Sequence, residues 1–233
     1  MAKNNEKGIV EANEVINASE AFFQKHGKKV FIALVAVILL IVGVFAFHNY
    51  VSVPKANKAS TALAVGQELF GQNLFDVALN GDSATYDGFL KIASDYSGTD
   101  AGNLANLYAG LCYANLDQWE NAVKYLEKYN VADDQMVGPA TQAALGNAYA
   151  HVEQYDKAVS ALKKAAKMAD KASANGVNYS ISATFLMQAA KILENQDKKA
   201  EALSLYKEVK EKYVNSAVVQ SGEVDKYIER ASR

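Results

Sequence analysis

The residues of this chain that could do chemistry are few and scattered. Its three histidines, His26, His48 and His151, show no paired metal-ligand spacing, and a transition-metal site needs several such ligands converging. No metal and no cofactor is therefore expected. Asp133 and Asp134 form an acid pair, the type of residue that does general acid–base work, but an adjacent pair more commonly caps a helix or sits in a solvated linker. Gly98-x-x-x-Gly102 lacks the Gly-Lys-Ser/Thr ending of a phosphate loop and reads as a hinge between helical hairpins. No Gly-x-Ser-x-Gly nucleophile elbow occurs. The single cysteine, Cys112, cannot form an internal disulfide and has no basic neighbour in sequence to activate its thiol. Lying between Leu111 and Tyr113, it reads as a small core residue. The residue types point away from an enzyme.

The elements that carry these residues are more informative. Between Gly110 and Gly146 runs a register of 36 residues: Tyr113 corresponds to Tyr149, Trp119 to Tyr155, Ala122 to Ala158 and Leu126 to Leu162. A fixed period in the thirties, marked by small and aromatic residues, predicts helical hairpins stacked into a solenoid. Leu107, Gly110, Leu111 and Tyr113 are predicted on one helix, and Trp119, Ala122, Leu126 and Tyr129 on the next, joined by the turn Asn115-Leu116-Asp117. Small residues at Gly110 and Ala122 would let the two helices approach closely, while the aromatics fill the layer between repeats. The second copy carries Gly146, Tyr149, Tyr155, Ala158, Leu162 and Ala165. A third holds Leu186, Ala190, Leu193, Ala202, Tyr206 and Val209, with Ala202 lying 44 residues after Ala158. The eight-residue excess falls in 167–179, where Ala174-Asn175-Gly176 reads as a helix stop. Phe89, Ile92 and Tyr96 precede Tyr206, Val209 and Tyr213 by a constant 117 and predict a half-repeat upstream.

The pattern Gly-x-x-Tyr, an aromatic, then Ala-x-x-x-Leu/Tyr resembles the tetratricopeptide repeat family. It departs from that family in two places: the large residue usual early in the first helix is Asn106 and Gln142, and the proline that closes each repeat is missing. The resemblance implies a protein-binding solenoid whose inner surface comes mainly from the first helix of each hairpin. Carried onto this chain, it puts Leu107, Leu111, Asn115, Asn147, His151, Met187, Lys191 and Asn195 on a concave protein-binding groove. Apolar and amide groups mixed in this way suit an extended peptide.

Residues 30–47 contain no charge: VFIALVAVILLIVGVFAF. As helix this run is about 27 Å long, close to the hydrocarbon core of about 30 Å, and Tyr50 can extend it into the interface. Ala46-Phe47-His48 offers no small-x-small cleavage site, and 29 preceding residues exceed an ordinary signal-peptide n-region, so an uncleaved signal anchor is expected. Lys25, Lys28 and Lys29 crowd its start, against Lys55 and Lys58 after its end. The positive-inside rule then places the N-terminus in the cytoplasm and the repeats across the membrane. Pro54 is expected to mark a break before the first helix beyond the anchor. Ahead of the run, Ile9, Ala12, Ile16, Ser19 and Phe23 follow helical spacing, while Glu11, Glu14 and Glu20 make the other side acidic. Such a short amphipathic helix could lie at the interface or dock a membrane subunit.

Five lysines against four glutamates leave the first 29 residues at +1, and hence about −3 on the remainder of a chain of net charge −2. No large basic field exists for nucleic acid. The expected organisation is a tail at 1–29, an anchor at 30–50 and a lead-in helical hairpin at 51–102. Repeats follow at 103–138, 139–176 and 177–215, and a C-terminal capping helix at 216–233. The fold class is all-α: one transmembrane helix followed by a tetratricopeptide-type solenoid.

This layout, together with Gly88-Phe-Leu-Lys-Ile-Ala-Ser-Asp-Tyr96 and Ala101-Gly-Asn-Leu-Ala-Asn-Leu-Tyr-Ala-Gly110, resembles YfgM-like proteins, ancillary subunits of the bacterial Sec translocon. The resemblance covers nearly the whole chain. It implies a single-pass inner-membrane protein whose periplasmic repeats meet exported polypeptides or periplasmic chaperones beside a SecYEG-type translocon. The alternatives are an envelope scaffold or adaptor for cell division or outer-membrane assembly, or an import-receptor-like protein with cytosolic repeats, which the lysine bias opposes.

Overall fold

A computed structural model describes the backbone of residues 2–82, 84–131 and 136–233, and side chains from residue 25 onward. Asp133, Asp134 and the side chains of the amphipathic tail stripe lie outside the described residues. Every regular element among those described is helical. The chain divides into two compact units, Met1–Lys55 and Ala56–Arg233.

The first unit is dominated by α1 (Ala2–Phe47). Its uncharged run is long and apolar enough to cross a membrane, and none of that run is buried. Phe31, Leu40 and Phe45 are each about two-thirds exposed. The backbone then widens into a π-turn at His48–Ser52, where the Val53 N–H reaches back to the His48 carbonyl. Pro54 therefore does not sit in a break. It occupies the first turn of α2 (Val53–Gly71), behind a widened turn that opens the carbonyl row its ring would otherwise strike.

In the second unit the sequence register becomes a set of hairpins. The helices are α3 (Phe75–Asn80), α4 (Gly88–Asp95), α5 (Asp100–Asn115), α6 (Trp119–Leu126), α7 (Val137–His151), α8 (Tyr155–Ala172), α9 (Ile181–Asn195) and α10 (Lys199–Lys212). Four turns share one geometry. Asn73, Asp117, Glu153 and Asp197 adopt φ of 61°, 56°, 59° and 60°. The next N–H in each case reaches the carbonyl five residues back: Leu74 to Leu69, Gln118 to Tyr113, Gln154 to Tyr149 and Lys198 to Leu193, at 2.8–3.0 Å. This is a Schellman closure, which satisfies the orphan carbonyls at the end of the first helix and reverses the chain.

The turn at Asn73 falls inside the lead-in hairpin expected at 51–102, of which Phe89, Ile92 and Tyr96 are the later part. Gly66, Phe75 and Ala78 precede Gly110, Trp119 and Ala122 by 44 residues, so the upstream copy is a whole hairpin made by α2, α3 and α4. Its second helix is split by residues 81–87. Asp82 closes that insertion by accepting from the backbone N–H groups of Ala84, Thr85 and Tyr86 at 2.7–3.0 Å and from the Thr85 hydroxyl. Led by the Thr85 hydroxyl, these donors hold its carboxyl well below the usual carboxylate range. The Tyr86 hydroxyl donates to the Ala78 carbonyl at 2.9 Å and locks the insertion onto α3.

Close approach explains the small residues. A Cβ added at Gly110 would lie 2.6 Å from Leu126 Cγ, and one at Gly146 would lie 2.9 Å from Leu162 Cγ and 3.2 Å from the Ala158 carbonyl oxygen. Ala122, Ala158 and Ala202 are fully buried on the facing helices. Tyr129 differs from expectation. It is buried but lies beyond α6, because Asn103 clamps Asn130: its amide donates to the Asn130 carbonyl at 2.9 Å and accepts the Asn130 N–H at 2.8 Å.

The core passes from hairpin to hairpin. Leu104 and Tyr113 pack against both the cluster around Phe89 and Ile92 and the one around Ala122 and Leu126, and Ile192 against both the latter and the cluster around Tyr206 and Val209. Such nearest-neighbour continuity is how a solenoid builds a core from units that cannot bury one alone. At its end, α11 (Ala217–Gln220) leads to α12 (Glu223–Ala231), whose Val224 and Ala231 are buried with Tyr206 and Val209. Arg230 makes a two-pronged bond to Glu194 of α9 at 2.5 and 2.7 Å, and Tyr206 donates to the same carboxylate at 2.8 Å. Arg230 first, with help from Tyr206, holds the Glu194 carboxyl below its ordinary range despite desolvation.

Candidate protein-binding face

The eight groove candidates sit on α5, α7 and α9, the first helices of three successive hairpins, but their environments differ. Leu107 is only 6 % exposed and belongs to the core with Ala122 and Leu126, so it offers no surface contact. Leu111 is half-buried. Asn115 is exposed, and its amide already donates to the Leu111 carbonyl of its own helix at 2.8 Å. Asn147 is exposed. His151 is exposed and stacks flat on Trp119, ring centroids 3.6 Å apart and planes 5° off parallel.

The last hairpin gathers the remaining positions around α9. Met187 is buried yet lines, with Lys191, an open cavity of about 650 Å³ between α9 and the segment from Asn215 to Glu223. Lys191 is exposed, with its ammonium 4.8 Å from the centre of the Tyr227 ring of α12, within cation–π range. His151 and Asn195 meet at a second hollow of about 380 Å³, completed by Ala150, Tyr155, Ile192 and Gln196. The structure thus joins Met187 to Lys191 and His151 to Asn195. Leu111, Asn115 and Asn147 line neither hollow.

Sequence reasoning missed the polar atoms that finish these hollows. Gln188 Oε1 and Ser216 Oγ, both in the larger one, and Gln196 Oε1 in the smaller one are buried without hydrogen-bond partners. Ser216 had a usable signal. It follows Thr99 by 117 residues, the offset already relating Phe89 to Tyr206. Thr99 Oγ1 caps α5 by accepting from the Gly102 N–H at 3.0 Å. Ser216 occupies the corresponding place before α11, and its hydroxyl caps nothing.

Little here can do chemistry. Cys112 is fully buried, and burial pushes its thiol up to about 12, far from a reactive thiolate. Among the described residues no three His, Cys, Asp or Glu side chains converge as a metal set. What the face presents is hydrogen-bonding amides and hydroxyls beside aromatic and aliphatic patches.

A family model described as tetratricopeptide repeat-like domain matches residues 20–178, and a tetratricopeptide repeat model matches residues 185–216. This repeat fold is typically a non-catalytic interaction scaffold. Among solved structures, the chain is similar to the nearly identical TPR-like repeats of a protein from Podosopora anserina described as a kinesin light chain. The identity is 12 %, with 76 % of this chain and 94 % of that one covered at a TM-score of 0.50. A singly substituted form of the same repeats matches with the same values. At that identity the likeness is one of fold. No curated protein sequence matches the chain.

Proposed function

Because this chain belongs to the tetratricopeptide repeat-like domain family, we propose that it is a membrane-anchored adaptor of the YfgM-like kind, an ancillary subunit of a bacterial Sec-type translocon. Its repeats are a protein–protein interaction module. In this reading, residues 30–50 hold it in the inner membrane with the N-terminus cytoplasmic. The face of α5, α7 and α9 meets exported polypeptides or a periplasmic chaperone. The observation that carries the reading is that the match at 20–178 takes in the apolar run together with the repeats, as one architecture. The bare apolar surface of that run supports it further, since a helix belonging to a soluble core would be covered by its neighbours.

Two measurements test it. With Lys25, Lys28 and Lys29 ahead of the run, a reporter active only in the periplasm should work when fused after Arg233; activity of a cytoplasm-only reporter there overturns the orientation. Photocrosslinkers at the exposed Asn147 and Asn195 of the full-length membrane protein should capture exported chains, a chaperone or SecYEG. Probes at the exposed Lys163 and Lys207, on second helices, should capture much less. Equal labelling from both sets removes the groove. Capture of division or outer-membrane assembly factors in place of SecYEG makes the protein an envelope scaffold.

A further inference from the structure

The charges of the repeats are spread unevenly. Residues 30–233 carry about −3 in all. Yet α8 holds Lys157, Lys163, Lys164, Lys167 and Lys171 along about 21 Å of helix, on roughly a third of its circumference. All five are exposed. The two acids of the helix do not offset them: Asp156 pairs with Lys198 at 2.7 Å, and Asp170 is buried against Lys212 and Tyr213. Among the described residues, no carboxylate comes within ion-pair distance of Lys163, Lys164 or Lys167. The repeat itself does not require this stripe. In the register that aligns Ala158 with Ala122 and Ala202, Lys157 corresponds to Asn121 and Glu201, and Lys163 to Glu127 and Lys207. Lys164 corresponds to Lys128 and Glu208, and Lys167 to Val131 and Glu211. The other repeats mix both signs where α8 is uniformly basic.

We propose that the lysine face of α8 docks on an anionic lipid surface, that of the membrane holding residues 30–50. The proposal rests on the anchor in the reading above but not on its protein partner. Lysine ammoniums are compact point charges on flexible stems, which suit a fluid array of lipid phosphates with no fixed geometry. The only other exposed residue between Lys157 and Lys167 is Ser160. The face therefore lacks the aromatic or aliphatic anchor around which a protein interface builds its core, and the aromatics on which nucleic-acid bases stack. An anchored domain meets the lipid surface at high effective concentration, so individually weak contacts suffice. At about fivefold per lysine, Lys163, Lys164 and Lys167 together shift the balance between free and docked by about a hundredfold. Docking through a second helix leaves the first helices, which carry the candidate binding face, clear of lipid.

The test places a fluorescent donor at Ser160→Cys in the full-length protein in lipid nanodiscs, with an acceptor-labelled lipid in the bilayer; Cys112 is fully buried and stays unlabelled. Energy transfer should be higher in discs of about 30 % phosphatidylglycerol in phosphatidylcholine than in phosphatidylcholine alone. It should fall to the neutral-lipid level in about 0.5 M salt, where the screening length is only a few ångströms. Combining Lys163→Glu, Lys164→Glu and Lys167→Glu should bring it to the same level, with the melting midpoint unchanged because all three side chains are exposed. Equal transfer in both lipids overturns the docking. Transfer that depends on lipid charge but survives the triple variant overturns its assignment to α8. If transfer ignores lipid charge while the triple variant loses a co-purifying acidic protein, the stripe is a protein contact and the lipid proposal falls. Failure of the protein to incorporate into discs of either composition removes the anchor, and this proposal with it. Incorporated protein without charge-dependent transfer removes the docking alone and leaves that reading standing.

Discussion

Ala158→Trp should destabilise the full-length protein by about 3 kcal/mol or more, at the upper end of what overpacking costs. Ala158 is fully buried on α8, and its carbonyl oxygen already stands 3.2 Å from where a Cβ at Gly146 would be. An indole there has no cavity to enter, so it must push α7 and α8 apart or leave its rotamer. Because Leu162 and Ala165 of the same helix pack in the cluster that contains α9 and α10, the separation would also loosen the last hairpin. The expected result in circular dichroism is a melting midpoint lower by about 6–12 °C. Ser160→Trp, on the exposed side of α8, should leave the midpoint within a degree or two. An unchanged midpoint for Ala158→Trp would mean that the helices do not meet at this position.

Asp170→Ala should cost about 3 kcal/mol by a different route, through groups left without partners rather than through crowding. The Asp170 carboxylate accepts from the Asn178 N–H at 2.9 Å, Lys212 Nζ at 2.5 Å and the Tyr213 hydroxyl at 2.8 Å. It thereby ties the end of α8 and the loop before α9 to the end of α10. Tyr213 is 1 % exposed, so its hydroxyl would be stranded; Lys212 is half-exposed and would find water. Burial alone would raise the Asp170 carboxyl, but the Asn178 N–H and the Lys212 ammonium outweigh it, and the group lies below its ordinary range. A lowered folded pKa adds stability that is complete above the unfolded carboxylate value, about 3.9, and is lost as pH falls through the folded one. The wild type should therefore lose urea resistance progressively below about pH 4, and Asp170→Ala should show a shallower loss over that interval. Amide exchange in residues 173–180 should accelerate in the variant. Parallel acid profiles for the two proteins would show that Asp170 does not carry the linkage.

The two variants probe opposite kinds of information in the chain. Ala158 was legible because close helix approach leaves no choice of side chain: wherever two helices of a hairpin touch, only Gly or Ala fits, and the constraint recurs with the repeat. The same constraint recurs in the lead-in hairpin expected at 51–102, where Gly66, Phe75 and Ala78 keep register with Gly110, Trp119 and Ala122. The seven residues at 81–87 hid that register by splitting the second helix of the hairpin. Asp170 was not legible. Its partners lie 8, 42 and 43 residues away, and no local pattern distinguishes it from a solvated aspartate at a helix end.

The binding face divides along the same line. Leu107 lies on α5 and Met187 on α9, and a 3.6-residue repeat decides which side of a helix each occupies. Whether that side is open depends on what the next hairpin brings. Leu107 is covered by the packing of α5 against its successors, and Met187 is left at the floor of a hollow by the course of residues 215–223.

By itself the sequence determined the helical class, the hairpin period, the uncharged span at 30–47 and the poverty of catalytic groups. Each follows from local rules: helical geometry, close approach at small residues, and the length an apolar helix needs to cross lipid. Only the tertiary structure decided which polar atoms were satisfied. Thr99 and Ser216 hold equivalent places before a helix, yet one hydroxyl caps it and the other stands buried without a partner. That difference is made by non-local packing around the last hairpin, where α12 takes the place of a further repeat and leaves the side of α9 unfilled.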